Sequence, residues 1–365
     1  LSQAGVSMGF TQTFNGDVFW DESRPNENGR NVVVSRTNGD ILPAPWNAST
    51  RVHEMGGLSW LVCNWNNEPG LLFAEKSDQR IYWKTVGGEP EPITAESSPG
   101  TLSRYSDFLI RGSEIWCVRE ITEGASTNRD LIAINRAKQI RILDSTSHFY
   151  AHLALSPDEQ KLAWISWEHP QMPWDGTQLR LADIDPQGNL VNTTILAGNE
   201  SEAVNSPVWS NSGKLYFVSD ASGFWNVWES DTKGSKRQLV SESAEWAHPM
   251  WIVGTHLLRI LDSGELVGIH GNPAQEKIAV IDRPAVTALI NAIGEERHAV
   301  FQLLLTDPLT ERLGKIHLHR VVVVHPVAIV ARPCDVDALI GSASFDDAVD
   351  FRDMRGGGVE RQIAR

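Results

Sequence analysis

Leu155-Ser156-Pro157-Asp158-Glu159-Gln160-Lys161-Leu162-Ala163-Trp164-Ile165-Ser166 and Trp209-Ser210-Asn211-Ser212-Gly213-Lys214-Leu215-Tyr216-Phe217-Val218-Ser219 follow one pattern twice. In each, a Ser opens a turn of polar, Pro or Gly residues, and a Lys then leads into an aliphatic and aromatic run. Such residues supply the dihedrals of a tight connection, and the run after it has the composition of a buried strand. The two Ser lie 54 residues apart. A second pair of segments, Phe73 to Trp83 and Phe217 to Trp228, joins two aromatic strands through a polar turn. These units recur at roughly 40 to 55 residues, a spacing that fits four-stranded propeller blades.

Working outward, further short runs rich in Val, Ile, Leu, Trp, Tyr and Phe read as strands: Ser59 to Cys63, Arg80 to Lys84, Ile115 to Arg119, Leu131 to Asn135 and Gln178 to Ala182. Turn clusters such as Asn66-Asn67-Glu68-Pro69-Gly70 and Gly87-Gly88 stand between them, and helical periodicity is nearly absent up to residue 283. The expected fold class is all-β, a propeller of six to seven four-stranded blades. Six units are delimited, at about 9 to 53, 54 to 95, 102 to 145, 149 to 198, 203 to 241 and 246 to 282. All 14 Trp lie between Trp20 and Trp251. They are expected to mark blade strands and one blade loop, filling the space between neighbouring sheets with wide apolar side chains.

Residues 1 to 283 are therefore read as the propeller and 284 to 365 as a separate tail, a small second domain or sequence not native to the fold. In the tail, 285 to 293 reads as an apolar helical segment, Val321 to Val324 and Val327 to Val330 as buried strands flanking Pro326, and Gly356-Gly357-Gly358 as a flexible end.

The formal net charge of −14, from 32 basic and 46 acidic side chains, opposes a phosphate backbone, so neither nucleic acid nor an anionic membrane is an expected partner. Three scattered Cys, Cys63, Cys117 and Cys334, make neither a disulfide framework nor a zinc site. They read as reduced, mostly buried thiols in a soluble, cytoplasmic protein. No apolar stretch approaches the roughly 18 residues of a membrane span.

With the blades laid out, several strings gain meaning. Gly16-Asp17-Val18-Phe19-Trp20, Thr50-Arg51-Val52-His53-Glu54-Met55-Gly56-Gly57, Trp164 to Pro170 and Met172-Pro173-Trp174-Asp175-Gly176-Thr177 resemble the amino-terminal propeller of prolyl oligopeptidase family serine peptidases, in the acylaminoacyl peptidase and dipeptidyl aminopeptidase branch. The resemblance covers roughly residues 10 to 282 and implies a propeller that admits peptides, but not folded proteins, to an α/β-hydrolase domain carrying a Ser, Asp and His triad. No hydrolase half is recognisable in this chain, so it is expected to be inactive alone, with a peptide substrate and a missing catalytic domain as its partners. The alternative is a stand-alone TolB-like propeller that binds a peptide or protein partner. A propeller hydrolase acting on sugars would need paired carboxylates at the axis.

No catalytic residue, cofactor or metal is expected. Gly5-Val6-Ser7-Met8-Gly9 matches a nucleophile elbow in letters, yet it lacks the buried strand before the Ser and the helix after it, and reads as coincidence. His317-Leu318-His319 with His325, and His148 with His152, lack the acidic or thiol partners of a metal site. The candidate substrate-gating residues are Arg51, His53 and Glu54, which either orient a peptide by charge or pair to fix a connection between blades. To these are added His169, Trp174 and Asp175, on a loop between two strands of one blade, where propellers place recognition.

Overall fold

The computed structural model describes residues 5–261, 263–271, 276–281, 321–324 and 327–330. Six antiparallel meanders follow one another along the chain. The first comprises β1 (Ser7–Phe14), β2 (Asp17–Arg24), β3 (Arg30–Ser35) and β4 (Gly39–Asp40), and the second β5 (Trp60–Trp65), β6 (Glu68–Ala74), β7 (Ile81–Thr85) and β8 (Glu91–Pro92). The third comprises β9 (Thr101–Arg111), β10 (Glu114–Glu123), β11 (Ser126–Ile134) and β12 (Ile140–Asp144), and the fourth β13 (Phe149–Leu155), β14 (Lys161–Trp167), β15 (Gln178–Ile184) and β16 (Leu190–Ala197). The fifth holds β17 (Val204–Trp209), β18 (Leu215–Ser219), β19 (Asn226–Ser230) and β20 (Lys236–Gln238), and the sixth, among the described residues, β21 (Leu258–Ile260), β22 (Leu266–His270) and β23 (Lys277–Ile281). This is a six-bladed β-propeller. By compactness the chain divides into Leu1–Glu311, which holds the blades, and Arg312–Arg365. The second unit contains an antiparallel hairpin of β24 (Val321–Val324) and β25 (Val327–Val330), the two strands expected there. The expected helix at 285–293, His317, His319, His325, Cys334 and Gly356-Gly357-Gly358 lie outside the described residues.

The repeat from which the fold was read has a hydrogen-bonding basis. Ser156 Oγ accepts the amide of Lys161 at 2.9 Å, and Ser210 Oγ accepts that of Lys214 at 2.9 Å. Each Ser thus closes the turn between the first and second strands of its blade. Asn66 and Asn67, at φ 58° and 64°, form a two-residue hairpin between Trp65 and Glu68, which pair directly; Asn tolerates this left-handed geometry. Ser7 and Met8 lie in strand β1 rather than at a strand-to-helix turn, so the elbow-like string has no elbow.

Contacts between successive blades run through their first strands, which therefore line the axis. Apolar clusters fill the wedges between sheets. Trp60, Trp116 and Trp164 are wholly buried there, each ring contributing about 4–6 kcal/mol at ~25 cal/mol per Å². The indole N–H of Trp60 donates to Asp21 in the preceding blade at 2.9 Å, and that of Trp209 to the Ala154 carbonyl at 3.0 Å. Cys63 and Cys117 are buried, and burial pushes the Cys63 thiol up to about 12. Trp174 lies on its expected blade loop, but the distribution otherwise departs from expectation: Trp46, Trp225, Trp246 and Trp251 also lie outside strands.

Around the axis the first strands share a second device. In β9, β13 and β17 the register slips so that two residues face one on the neighbouring strand, a bulge that turns the backbone. Asp107, His152 and Ser206 occupy these bulges at φ 56°, 55° and 51°. Leu153 N donates to Asp107 Oδ2 at 3.2 Å, Ser206 N to His152 Nδ1 at 3.2 Å, and Leu257 N to Ser206 Oγ at 3.2 Å. Each bulge side chain thereby holds the next blade. One further connection joins distant segments: Leu58 N donates to Val253 O at 2.8 Å and Val253 N to Gly56 O at 3.1 Å. Gly57, at φ 153°, lies so close that a Cβ would collide with the Val253 backbone.

Two outcomes are expected from this framework. Gly57→Ala should cost about 1–3 kcal/mol of stability, seen as a lower thermal midpoint; an unchanged midpoint would show that the contact is dispensable. Burial pushes the His152 imidazole down to about 3 from 6.5, so between those values only the unfolded chain is protonated there. Stability held above the upper value is then lost as pH falls toward the lower one. Asp107, raised by burial to about 6 from 3.8, acts oppositely, with stability lost as pH rises through that window. His152→Asn keeps an acceptor for Ser206 and tolerates the backbone geometry, so its acid limb should be shallower by about 1.4 kcal/mol per pH unit in urea unfolding between about pH 4 and 6. An identical slope would rule out the neutral, buried imidazole.

Candidate functional site on one face of the propeller

In a four-stranded meander the turns between second and third strands, and the connections into the next blade, emerge at the same end. Both groups of candidate residues therefore share one face. Arg51, His53 and Glu54 lie in the connection from the first blade to β5, and His169, Trp174 and Asp175 in the turn between β14 and β15. Among the described residues no hydrogen bond or ion pair joins the two groups.

Glu54 is the exposed end of an ion-pair chain. Arg51 Nη2 donates to Glu54 Oε2 at 2.8 Å, while Arg104 Nη1 donates to Glu54 Oε1 at 2.7 Å and to Glu120 Oε1 at 2.7 Å. Arg129 Nε donates to Glu120 Oε2 at 2.7 Å, which also accepts the His53 backbone N–H at 3.0 Å. Hydrogen bonding to Arg104 holds the Glu54 carboxyl below its ordinary range. Glu120 is only 1% exposed, and the two guanidiniums that flank it supply the pairing a buried carboxylate needs. The Arg129 guanidinium lies 4.3 Å from the Phe149 ring centroid, and the His53 ring stands edge-on to Phe149 and Trp167 at 5.3 and 5.4 Å. Burial pushes the His53 imidazole down to about 3, so it is neutral at physiological pH. The pairing that fixes the connection between blades is present, and the outer edges of Arg51 and Glu54 stay open to solvent.

The second group forms a projecting turn. Asp175 Oδ2 accepts Met172 N at 3.0 Å, closing the loop on itself, and Gly176 packs so tightly on Asn199 and Glu200 that a Cβ would meet their backbone at 2.5 Å. His169 and Asp175 are exposed. Trp174 turns toward the fifth blade, its ring centroid 4.4 Å from that of Trp251. Met55, Met172 and Trp251, exposed by 61%, 45% and 58%, give this face an apolar surface.

Sequence reasoning missed Arg104, Glu120 and Arg129, because ordinary strand residues hide their pairing across blades. It also missed Trp251 as a surface residue. Asp107, His152 and Ser206 did carry a signal, since their spacings of 45 and 54 residues match the blade repeat.

The ion pairs should differ sharply in weight. Arg104→Met leaves Glu120 short of one of its two cations and should cost about 3–5 kcal/mol; Arg51→Ala, at 64% side-chain exposure, should cost under about 1 kcal/mol. Chemical denaturation of both variants checks the ranking, and equal losses would contradict it.

No family model and no curated protein matches the chain. Among solved structures it is similar to a Mycobacterium tuberculosis puromycin-hydrolyzing peptidase, with 32% identity, a TM-score of 0.69 and coverage of 75% of this chain and 44% of that one. A puromycin hydrolase gives 30% identity and a TM-score of 0.70, covering 78% of this chain and 47% of its own. The chain thus spans less than half the length of these peptidases. An oligogalacturonate lyase, at 10% identity and a TM-score of 0.56, covered over 82% of its length, shares the fold alone. The described propeller is thus similar to the propeller portion of peptidases of the prolyl oligopeptidase family.

Proposed function

We propose that this propeller, residues 1–283, controls the access of peptides to a catalytic α/β-hydrolase domain, in a serine exopeptidase or oligopeptidase of the acylaminoacyl and dipeptidyl aminopeptidase branch. The observation that carries this reading is the likeness at 30–32% identity to peptidases of which this chain covers 44–47%, in their propeller portion. The gating residues are Arg51, His53, Glu54, His169, Trp174 and Asp175. Their shared face supports that role: Arg51 and Glu54 offer paired charges to a peptide backbone, His53 and its aromatic neighbours hold the connection in place, and the turn at 168–176 limits what approaches.

A second reading, a stand-alone propeller binding a protein partner, draws support from the exposed Met55, Met172 and Trp251 on the same face. A surface of this kind is suited to burial against another protein.

The full chain separates the two. Under the first reading, Arg-free peptides of about six residues bind it, Trp174→Ala weakens that binding by about fivefold, and folded proteins do not compete. Chromogenic aminoacyl and dipeptidyl amides are not cleaved, and Ser7→Ala changes nothing. Calorimetry and an amide-cleavage assay read these outcomes. Absence of peptide binding, competition by folded proteins, or cleavage that depends on Ser7 would overturn the proposal.

A further inference from the structure

Three of the five tryptophans that lie outside strands gather at one place. Trp174 from the β14–β15 turn, Phe224 and Trp225 from the β18–β19 turn and Trp251 from the connection to the sixth blade line a cleft of about 640 Å³. Asp220 and Glu245 line it as well. Trp225 ties the two carboxylates together, its backbone N–H donating to Glu245 Oε2 at 2.8 Å and its side chain hydrogen bonding to Asp220. Among the described residues no Lys or Arg forms an ion pair with either. His248, also in the lining, is engaged with Glu276 at 2.8 Å.

A cleft with these walls has a definite chemical preference. The faces of aromatic rings are electron-rich and attract cations, and two carboxylates add formal negative charge. Trp251 is 58% exposed and Phe224 37%, so apolar ring surface faces water that a ligand could displace. Desolvation raises the Asp220 carboxyl above its ordinary value, with the nearby Glu202 contributing; a bound cation would reverse that cost. Guanidinium suits the site better than ammonium, because it is planar, stacks on indole and meets carboxylates through several donors at once.

The geometry points to a recognition site for an arginine side chain of a peptide in this cleft, stacked on Trp251 and Trp174 and held by Glu245 and Asp220. The inference is independent of the peptidase reading, since it needs only the described propeller.

The test uses the full chain labelled with 15N-tryptophan, following the indole signals of Trp174 and Trp251 while Nα-acetyl-arginine methylamide is added. The uncharged isostere, Nα-acetyl-citrulline methylamide, is the control. The expected result is a saturable shift of both signals by the arginine probe, with the citrulline probe at least about tenfold weaker. Glu245→Gln, which keeps an acceptor for Trp225 N, and Trp251→Ala, at an exposed position, should each weaken binding by about fivefold or more with the remaining indole spectrum unchanged. Equal binding of the two probes, no saturable shift, or indifference to both substitutions would overturn the assignment. If Trp251→Ala perturbs the remaining spectrum, Glu245→Gln and the probe comparison decide.

Discussion

The blades are separate sheets packed through apolar wedges, and a short series of hydrogen bonds at the axis links the third to the sixth in turn. An amide at the start of one blade needs a partner once it is removed from water, because a buried unpaired N–H costs about 1–3 kcal/mol. Asp107, His152 and Ser206 meet that need in turn, each from a bulge that bends its strand toward the next blade. Three different side chains do this work because only an acceptor atom is required. The wedge-filling indoles add the apolar area, but the axial bonds set the spacing and direction in which those wedges can close.

This division explains what could be read from residues alone. Runs such as Arg80 to Lys84 and Lys161 to Ser166 are legible because aromatic and β-branched residues stand between strong turn formers. Three of the outermost strands, Gly39–Asp40, Glu91–Pro92 and Lys236–Gln238, are two or three residues long and mostly polar, too short to show any period. The bulges were hidden because Asp107, His152 and Ser206 sit inside otherwise ordinary strands. Only the return of a polar residue at blade spacing betrays them.

The candidate face was legible in outline and not in its wiring. Arg51, His53 and Glu54 are adjacent in sequence, yet their partners Arg104, Glu120 and Arg129 come from the third blade, and no local pattern links residues 50 or more apart. Tryptophan counting failed in a similar way. An indole that fills a wedge and one that lies open beside a carboxylate look alike in a composition, so Trp164 and Trp251 could be told apart only by what surrounds them.

The parallel bridge between Gly57 and Val253 joins positions 196 residues apart. Such a contact cannot form until five blades' worth of chain has been made, and closing so long a segment carries an entropic cost that local hairpins avoid. Assembly of this propeller is therefore ordered in time: hairpins and single blades can form as the chain emerges, whereas the bridge between the entrances to the second and sixth blades comes late. Until then the backbone around residues 56–58 and 253 has unpaired donors and acceptors, a window in which a growing chain is most exposed to pairing with the wrong partner.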